Sequence, residues 1–126
     1  MDDNFKLLWI GNRHQSPEIA NGLQKATYRV ITASDFPGTI ETLRKEHIDL
    51  IVLENEVSCV QGELAAVRLK SAAPRVPILL LCDPVQTETP QAFFVNMILA
   101  LRSGPELLLR AIETLLPNPR SRRTAS

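Results

Sequence analysis

Short apolar runs of strand length recur along this chain and alternate with segments of helical period. The clearest runs are residues 48–53 (IDLIVL) and 78–82 (ILLLC), which are apolar almost throughout. A strand that is apolar on both faces is typical of a parallel sheet that helices cover on both sides. Because parallel neighbours need helical crossovers, the alternation predicts a doubly wound α/β domain.

The predicted domain has five strands and five helices in alternation. Strands are expected at residues 5–10, 28–32, 48–53, 78–82 and 96–101. Helices are expected at residues 17–26, 34–47, 62–72, 87–94 and 104–116, with a loop over residues 54–61. This pattern favours a flavodoxin-like (βα)5 three-layer sandwich, in which the parallel five-stranded sheet has the order 2-1-3-4-5. In such a sheet a site lies beyond the carboxyl ends of strands 1 and 3.

Two common nucleotide-binding classes are excluded by the absence of their glycine motifs. No Gly-x-Gly-x-x-Gly follows the first strand, and no Gly-Lys-Ser/Thr occurs anywhere in the chain. The first motif brings the backbone close to a pyrophosphate, and the second closes a loop around phosphates. The chain is therefore expected to be neither a dinucleotide-binding domain nor a P-loop protein.

The charge balance argues against a nucleic-acid partner, and the short apolar runs argue against a membrane. The 14 Lys and Arg residues equal the 14 Asp and Glu residues in number, whereas nucleic-acid binders usually show a basic excess on one face. The apolar runs are far too short to span a bilayer. The acidic start (MDDNF) does not resemble a signal peptide. We expect a cytoplasmic protein whose two cysteines, Cys59 and Cys82, are free thiols.

The basic residues near the end of the chain indicate that the chain consists of a folded domain and a tail. Residues 117–126 contain Arg120, Arg122 and Arg123 and no acid, so the preceding part is acidic overall. A segment rich in Pro, Ser and Arg is typical of disorder. The expected organisation is one domain over residues 1–116 and a basic, disordered tail over residues 117–126.

Residues 5–116 resemble the receiver domains of two-component response regulators. The most specific match is residues 49–54 (DLIVLE) followed by Gly62, which is similar to the family's third strand, its terminal Asp and the Gly eight residues later. Residues 6–10, 77–81 and 104–108 agree with the first strand, the fourth strand and the start of the last helix. The resemblance implies a site in which two acids hold Mg²⁺, an Asp accepts a phosphoryl group, and a Ser or Thr and a Lys contact that group.

This sequence lacks nearly all of the implied site residues. The acid pair corresponds to Gly11 and Asn12, the phosphoacceptor to Glu54, the hydroxyl residue to Cys82 and the lysine to Leu101. Phosphoryl transfer depends on metal and cationic groups that neutralise developing charge, and Mg²⁺ prefers oxygen ligands. We therefore expect a degenerate pocket with no Mg²⁺, no other cofactor and no enzymatic activity.

Glu54 admits two interpretations. Its constant negative charge can mimic a phosphorylated state, or it can be a solvated acid at a strand end. The second interpretation is favoured because Cys82, Ile98 and Leu101 replace the residues with which the family senses the phosphoryl group.

The last third of the chain contains more apolar residues than one short helix, one strand and a final helix need. The family uses the face formed by helix 4, strand 5 and helix 5 for self-association and for output partners, and an exposed apolar patch usually marks an interface. The alternative is that a short fourth helix lets these residues fill the core. The candidate interface residues are Phe93, Phe94, Ile98, Leu107, Leu109 and Leu116.

The sequence favours a phosphorylation-independent, receiver-like module that regulates a bacterial signalling pathway. Its expected partner is a protein of that pathway or a second copy of the chain. Two alternatives remain: a phosphorylatable receiver with an atypical pocket, and a small-molecule binding module that uses the vacated pocket between Gly11, Glu54, Cys82 and Leu101.

Overall fold

The structure, a computed structural model, describes residues 4–33, 35–56, 59–83 and 95–116, and of residues 59 and 60 it describes the backbone. The strands are β1 (Lys6–Ile10), β2 (Arg29–Thr32), β3 (Leu50–Asn55), β4 (Ile78–Cys82) and β5 (Met97–Ala100). The helices are α1 (Pro17–Lys25), α2 (Phe36–Lys45), α3 (Cys59–Ala72) and α4 (Pro105–Leu115), with a 3₁₀ turn at Arg13–Gln15.

The five strands form one parallel sheet in the order β2-β1-β3-β4-β5. This order confirms the predicted flavodoxin-like α/β fold. In the register of the sheet, Ile10 lies opposite Leu53, and Asn55 lies opposite Cys82. The last residues of the strands therefore meet along one margin, which we call the carboxyl edge.

Helices cover both faces of the sheet, and the alternation of side chains along each strand divides the core into two layers. Helices α1 and α4 pack on one face, and α2 and α3 pack on the other. The first layer contains the strand residues Leu7, Trp9, Leu50, Val52, Leu79 and Leu81. The second contains the strand residues Leu8, Ile51, Leu53, Ile78, Leu80 and Cys82. Residues 50–53 of β3 and all of β4 are thus buried on both sides of the sheet, as their apolar sequences predict.

The predicted loop at residues 54–61 is wrong at both of its ends. Glu54 and Asn55 continue β3 because they pair with Leu81 and Cys82 of β4. The helix α3 then begins at Cys59 rather than at Gly62. Gly62 lies within α3, where an added Cβ would come 2.6 Å from a methyl group of Leu80. The glycine thus marks a close approach of helix and strand and not the start of the helix.

Other boundaries differ from the prediction by a few residues, and two predicted segments are not tested. Helix α2 ends at Lys45, two residues before His47, which pairs with Asp49 at 3.2 Å. Ser16 precedes α1 without a side-chain capping bond, whereas Asp35 accepts one from the backbone N–H of Gly38. The predicted short helix at residues 87–94 and the tail at residues 117–126 lie outside the described residues. In the parts of the chain that the structure describes, no helix is long and apolar enough to cross a lipid bilayer.

Candidate functional site

The carboxyl edge brings together the positions that the resemblance implies for the pocket. Gly11 and Asn12 directly follow β1, and Glu54 is the second-last residue of β3. Cys82 ends β4, and Leu101 directly follows β5. These five residues come from four parallel strands whose ends are neighbours in the sheet.

The carboxylate of Glu54 is bound by two donors from the end of β1. The indole N–H of Trp9 donates to Oε2 at 2.5 Å, and the backbone N–H of Arg13 donates to the same oxygen at 2.8 Å. Trp9 is fully buried, whereas Glu54 is partly buried. The interpretation of Glu54 as a solvated acid is therefore wrong, because a fully buried side chain depends on its carboxylate as a hydrogen-bond acceptor.

Gly11 and Glu54 fit each other sterically. Gly11 has φ +138°, and a Cβ added there would lie 2.4 Å from Oε2 and 2.3 Å from Cδ of Glu54. The carboxylate thus fills the space that a side chain at position 11 would need. An acid at position 11 and the present conformation of Glu54 exclude each other.

The residues at the carboxyl edge do not fit Mg²⁺. This ion requires near-octahedral coordination by oxygen atoms, usually with carboxylates. Gly11 has no side chain, Asn12 has a neutral amide, and Oε2 of Glu54 accepts two hydrogen bonds. Among the described residues, no group of three His, Cys, Asp or Glu side chains is placed to hold a metal ion.

Arg13 connects this site to the far side of the carboxyl edge. Its guanidinium Nη1 donates to the backbone carbonyl of Leu101 at 2.7 Å, and its backbone N–H binds Glu54. The ring of the neighbouring residue His14 packs on Trp9 with 5.6 Å between centroids. The roles of Trp9 and Arg13 were not predicted from the sequence. A buried tryptophan generally needs an acceptor for its N–H, which is the one signal that could have indicated Trp9.

The β4 and β5 side of the edge contains apolar side chains and backbone hydrogen bonds. Cys82 is fully buried, and the backbone N–H of Leu101 lies 3.2 Å from both the carbonyl of Cys82 and Oδ1 of Asp83. Cys82 is disulfide-bonded, so the expectation of a free thiol at this position is wrong. Neither Cys82 nor Leu101 supplies a hydroxyl or an ammonium group to a phosphoryl group.

The residues of the candidate interface do not share one exposed face. Leu107 on α4 is 51% exposed, whereas Leu116 is buried in the core, so the structure does not place Leu116 on the surface. Leu109 packs against Gly22 of α1, and Ile98 packs partly buried on the face that α2 and α3 cover. Phe93 and Phe94 lie outside the described residues.

A groove of about 290 Å³ lies between α1 and α4. Burial raises the pKa of the Tyr28 hydroxyl above its ordinary value of 10.0, and the nearby charge of Glu113 raises it further. Glu106 and Arg110 form an exposed ion pair at 3.5 Å on its rim. The groove is lined by Gly22, Ala26, Tyr28, Glu106, Leu109, Arg110 and Glu113.

Neither a protein-family model nor a curated protein matches the sequence. Solved structures do match the fold. Chemotaxis protein CheY4 of Vibrio cholerae superimposes with a TM-score of 0.70 and 25% identity, over 90% of this chain and 99% of that one. The chain resembles a response regulator receiver domain.

Two further receiver structures share the fold at lower identity. The response regulator TrrA of Thermotoga maritima, solved with Mg²⁺ and BeF, has a TM-score of 0.69 and 16% identity over 89% of this chain and 99% of that one. An orphan response regulator of H. pylori has a TM-score of 0.74 and 16% identity, over 93% of this chain and 100% of that one. At 16% identity these two similarities show the fold alone. Together with the first match, the fold supports a signalling receiver role.

Proposed function

We propose that this protein is a phosphorylation-independent receiver module that regulates a bacterial, cytoplasmic signalling pathway by binding a protein partner, without catalysing a reaction. The proposal rests on one observation above all. The carboxylate at the position of the family's phosphoacceptor is bound by Trp9 and by the backbone of Arg13.

These contacts oppose phosphoryl transfer through Oε2 of Glu54, and the lack of the family's lysine opposes it through either carboxylate oxygen. An attacking carboxylate oxygen must present a lone pair to the phosphorus, and the charge that develops must be neutralised by a metal or a cation. Oε2 of Glu54 accepts two hydrogen bonds, and Leu101 occupies the position of the family's lysine. The geometry therefore supports a receiver that does not use the family's chemistry.

The same contacts oppose the small-molecule alternative on the β1 and β3 side of the pocket. The carboxylate of Glu54 fills the space beside Gly11, and the guanidinium of Arg13 extends to Leu101. A ligand there would have to displace hydrogen bonds that a fully buried indole requires. No contact among the described residues favours such a ligand over a protein partner.

The proposed partner is a signalling protein. In one matching structure, the response regulator TrrA of Thermotoga maritima is in complex with the histidine kinase ThkA. By analogy, we propose that this chain presents its receiver surface to a protein of the same general kind. The exposed Leu107 on α4 is the candidate residue for that contact, and self-association through the same helix is the competing outcome.

Intact-mass measurement after incubation with a small phosphodonor and Mg²⁺ tests the proposal. We expect no gain of one phosphoryl group in the full chain. Glu54→Gln, treated in the same way, is the matched control that assigns any gain to position 54. A gain in the wild type that is lost in Glu54→Gln would overturn phosphorylation independence.

A binding experiment tests the second half of the proposal. The tagged chain is used to capture proteins from the native organism, with and without phosphodonor, beside the variant Leu107→Glu. We expect the same signalling protein in equal amounts under both conditions and less of it with Leu107→Glu. Capture that requires the phosphodonor would contradict the proposal, and concentration-dependent sedimentation of the chain alone would favour the homodimer.

A further inference from the structure

Arg13 is bonded to the ends of two other strands. It lies three residues after β1, at the start of the 3₁₀ turn. Its backbone N–H donates to Glu54 near the end of β3, and its guanidinium donates to the carbonyl of Leu101 just after β5. One residue thus joins the ends of β1, β3 and β5, and it does so with protein atoms alone.

The segment that the guanidinium reaches is a tightly bonded turn, residues 101–104, which we call the β5–α4 turn. The backbone N–H of Leu101 faces the carbonyl of Cys82, and both the backbone N–H and the hydroxyl of Ser103 donate to the carbonyl of Ala100. Ser103 is 9% exposed. The turn leads directly into α4 at Pro105, so its position fixes where that helix begins.

The two bonds of Arg13 differ in what they fix. The bond from the backbone to Glu54 holds the 3₁₀ turn against β3, and the packing of His14 on Trp9 adds to this. The bond from the guanidinium is charge-assisted and directional, because the planar fork of an arginine presents its N–H groups in a fixed geometry. A displacement of the 3₁₀ turn therefore moves the donor away from the carbonyl of Leu101.

We propose that Arg13 couples position 54 to the β5–α4 turn, so that a change at Glu54 alters the turn before α4 without a phosphoryl group or a metal ion. Glu54 sets the position of the Arg13 backbone, and the side chain of Arg13 transmits that position to Leu101. The coupling concerns communication inside the fold and holds whether or not a protein partner binds α4.

Amide hydrogen exchange of the full chain tests the coupling. Arg13→Ala removes the guanidinium and keeps the backbone N–H that binds Glu54. We expect exchange at Leu101 and Ser103 to become about tenfold faster, as for the loss of one charge-assisted hydrogen bond. Exchange in β3 and β4 should stay close to the wild-type rate. Arg44→Ala, which removes an exposed arginine from α2, is the matched control and should leave the turn unchanged.

The role of Glu54 is tested with Glu54→Gln and the double variant. We expect Glu54→Gln to accelerate exchange at Leu101 and Ser103, and Arg13→Ala to add little in that background. If the double variant accelerates exchange at Leu101 and Ser103 by the product of the two single-variant factors, the two residues act independently and the coupling is overturned. Unchanged exchange in Arg13→Ala would overturn it as well. So would uniform acceleration across β3 and β4, because that result means a loss of global stability.

Discussion

At the carboxyl edge, a glycine, an aromatic residue and a glutamate pack together and leave no free space between the glycine and the carboxylate. The indole of Trp9 donates to Glu54, and Gly11 leaves the space that the carboxylate fills. The position of Glu54 thus depends on both other residues, because Trp9 binds its carboxylate and Gly11 leaves room for it. The polar atoms are satisfied inside the protein, where an unsatisfied one would cost stability.

The groove between α1 and α4 also contains a glycine, an aromatic residue and a glutamate, namely Gly22, Tyr28 and Glu113. Here the three residues line an open volume. Glu113 acts on Tyr28 through its charge and raises its pKa, although burial raises it more. Gly22 faces a methyl group of Leu109, the flexible end of a side chain beside an open volume of about 290 Å³. The carboxyl edge is fixed because the buried indole of Trp9 needs the carboxylate of Glu54 as its acceptor. The groove is adaptable because the side chain of Leu109 beside Gly22 can move.

The largest expected effect is that of Gly11→Ala. The φ of +138° is unfavourable for any other residue, and the new Cβ would overlap the carboxylate of Glu54. Backbone strain and overpacking each cost about 1–3 kcal/mol, so we expect the free energy of unfolding to fall by about 3 kcal/mol. Urea denaturation followed by the fluorescence of the single tryptophan measures it.

The double variant Gly11→Ala/Glu54→Ala separates the two causes. Glu54→Ala alone leaves the Trp9 indole without its acceptor and should cost about 1–3 kcal/mol. In the double variant the overlap is gone while the backbone strain remains, so the total loss should be smaller than the sum of the two single losses. Strict additivity would mean that Gly11 and Glu54 do not constrain each other.

A smaller effect is expected for Gly22→Ala. The added Cβ would lie 2.3 Å from Cδ1 of Leu109, which can rotate toward the groove. Alanine also favours a helix by up to about 1 kcal/mol over glycine. The two effects oppose each other, so we expect stability within about 1 kcal/mol of the wild type in the same urea experiment.

Leu109→Ala provides the control for Gly22→Ala, because Gly22→Ala should become stabilising in its background. A loss of about 2 kcal/mol or more from Gly22→Ala alone would show that the groove is packed as rigidly as the carboxyl edge. The contrast between the two sites would then be wrong.

The central part of the fold was predictable because its signal is local. The runs 50–53 and 78–82 are apolar on both faces, and this pattern requires helices on both sides of a parallel sheet. The end of β3 was not predictable, since the polar residues Glu54 and Asn55 extend it by pairing with β4 across the sheet. The two polar residues alone are typical of a loop, but pairing with Leu81 and Cys82 of β4 makes them part of the strand.

The candidate site was predictable as a set of positions and not as a set of contacts. The resemblance to receiver domains placed Gly11, Glu54 and Leu101 at one edge, as the structure has them. The contacts depend on pairs that are far apart in sequence: Trp9 and Glu54 are 45 residues apart, and Arg13 and Leu101 are 88 apart. No local pattern indicates which acceptor a buried indole or an arginine will find.

The smallest effect is expected at the groove and only at alkaline pH. The pKa of Tyr28 in the folded protein is above 10.0, so the unfolded chain loses this proton first as the pH rises. The contribution of Tyr28 to stability is complete below pH 10 and is lost as the pH rises through the pKa of the folded state. Tyr28→Phe should therefore match the wild type at neutral pH and lose less stability than the wild type above pH 10.

Direct titration of the single tyrosine identifies the cause of this effect. The ultraviolet absorbance of tyrosinate in the folded protein should give a midpoint above 10.0. Glu113→Gln should move the midpoint toward 10.0 without reaching it, because burial contributes more than the charge. Glu106→Gln, on the same groove but paired with Arg110, should move it less. A wild-type midpoint at or below 10.0 would mean that solvent reaches Tyr28 freely and that the groove does not shield its hydroxyl.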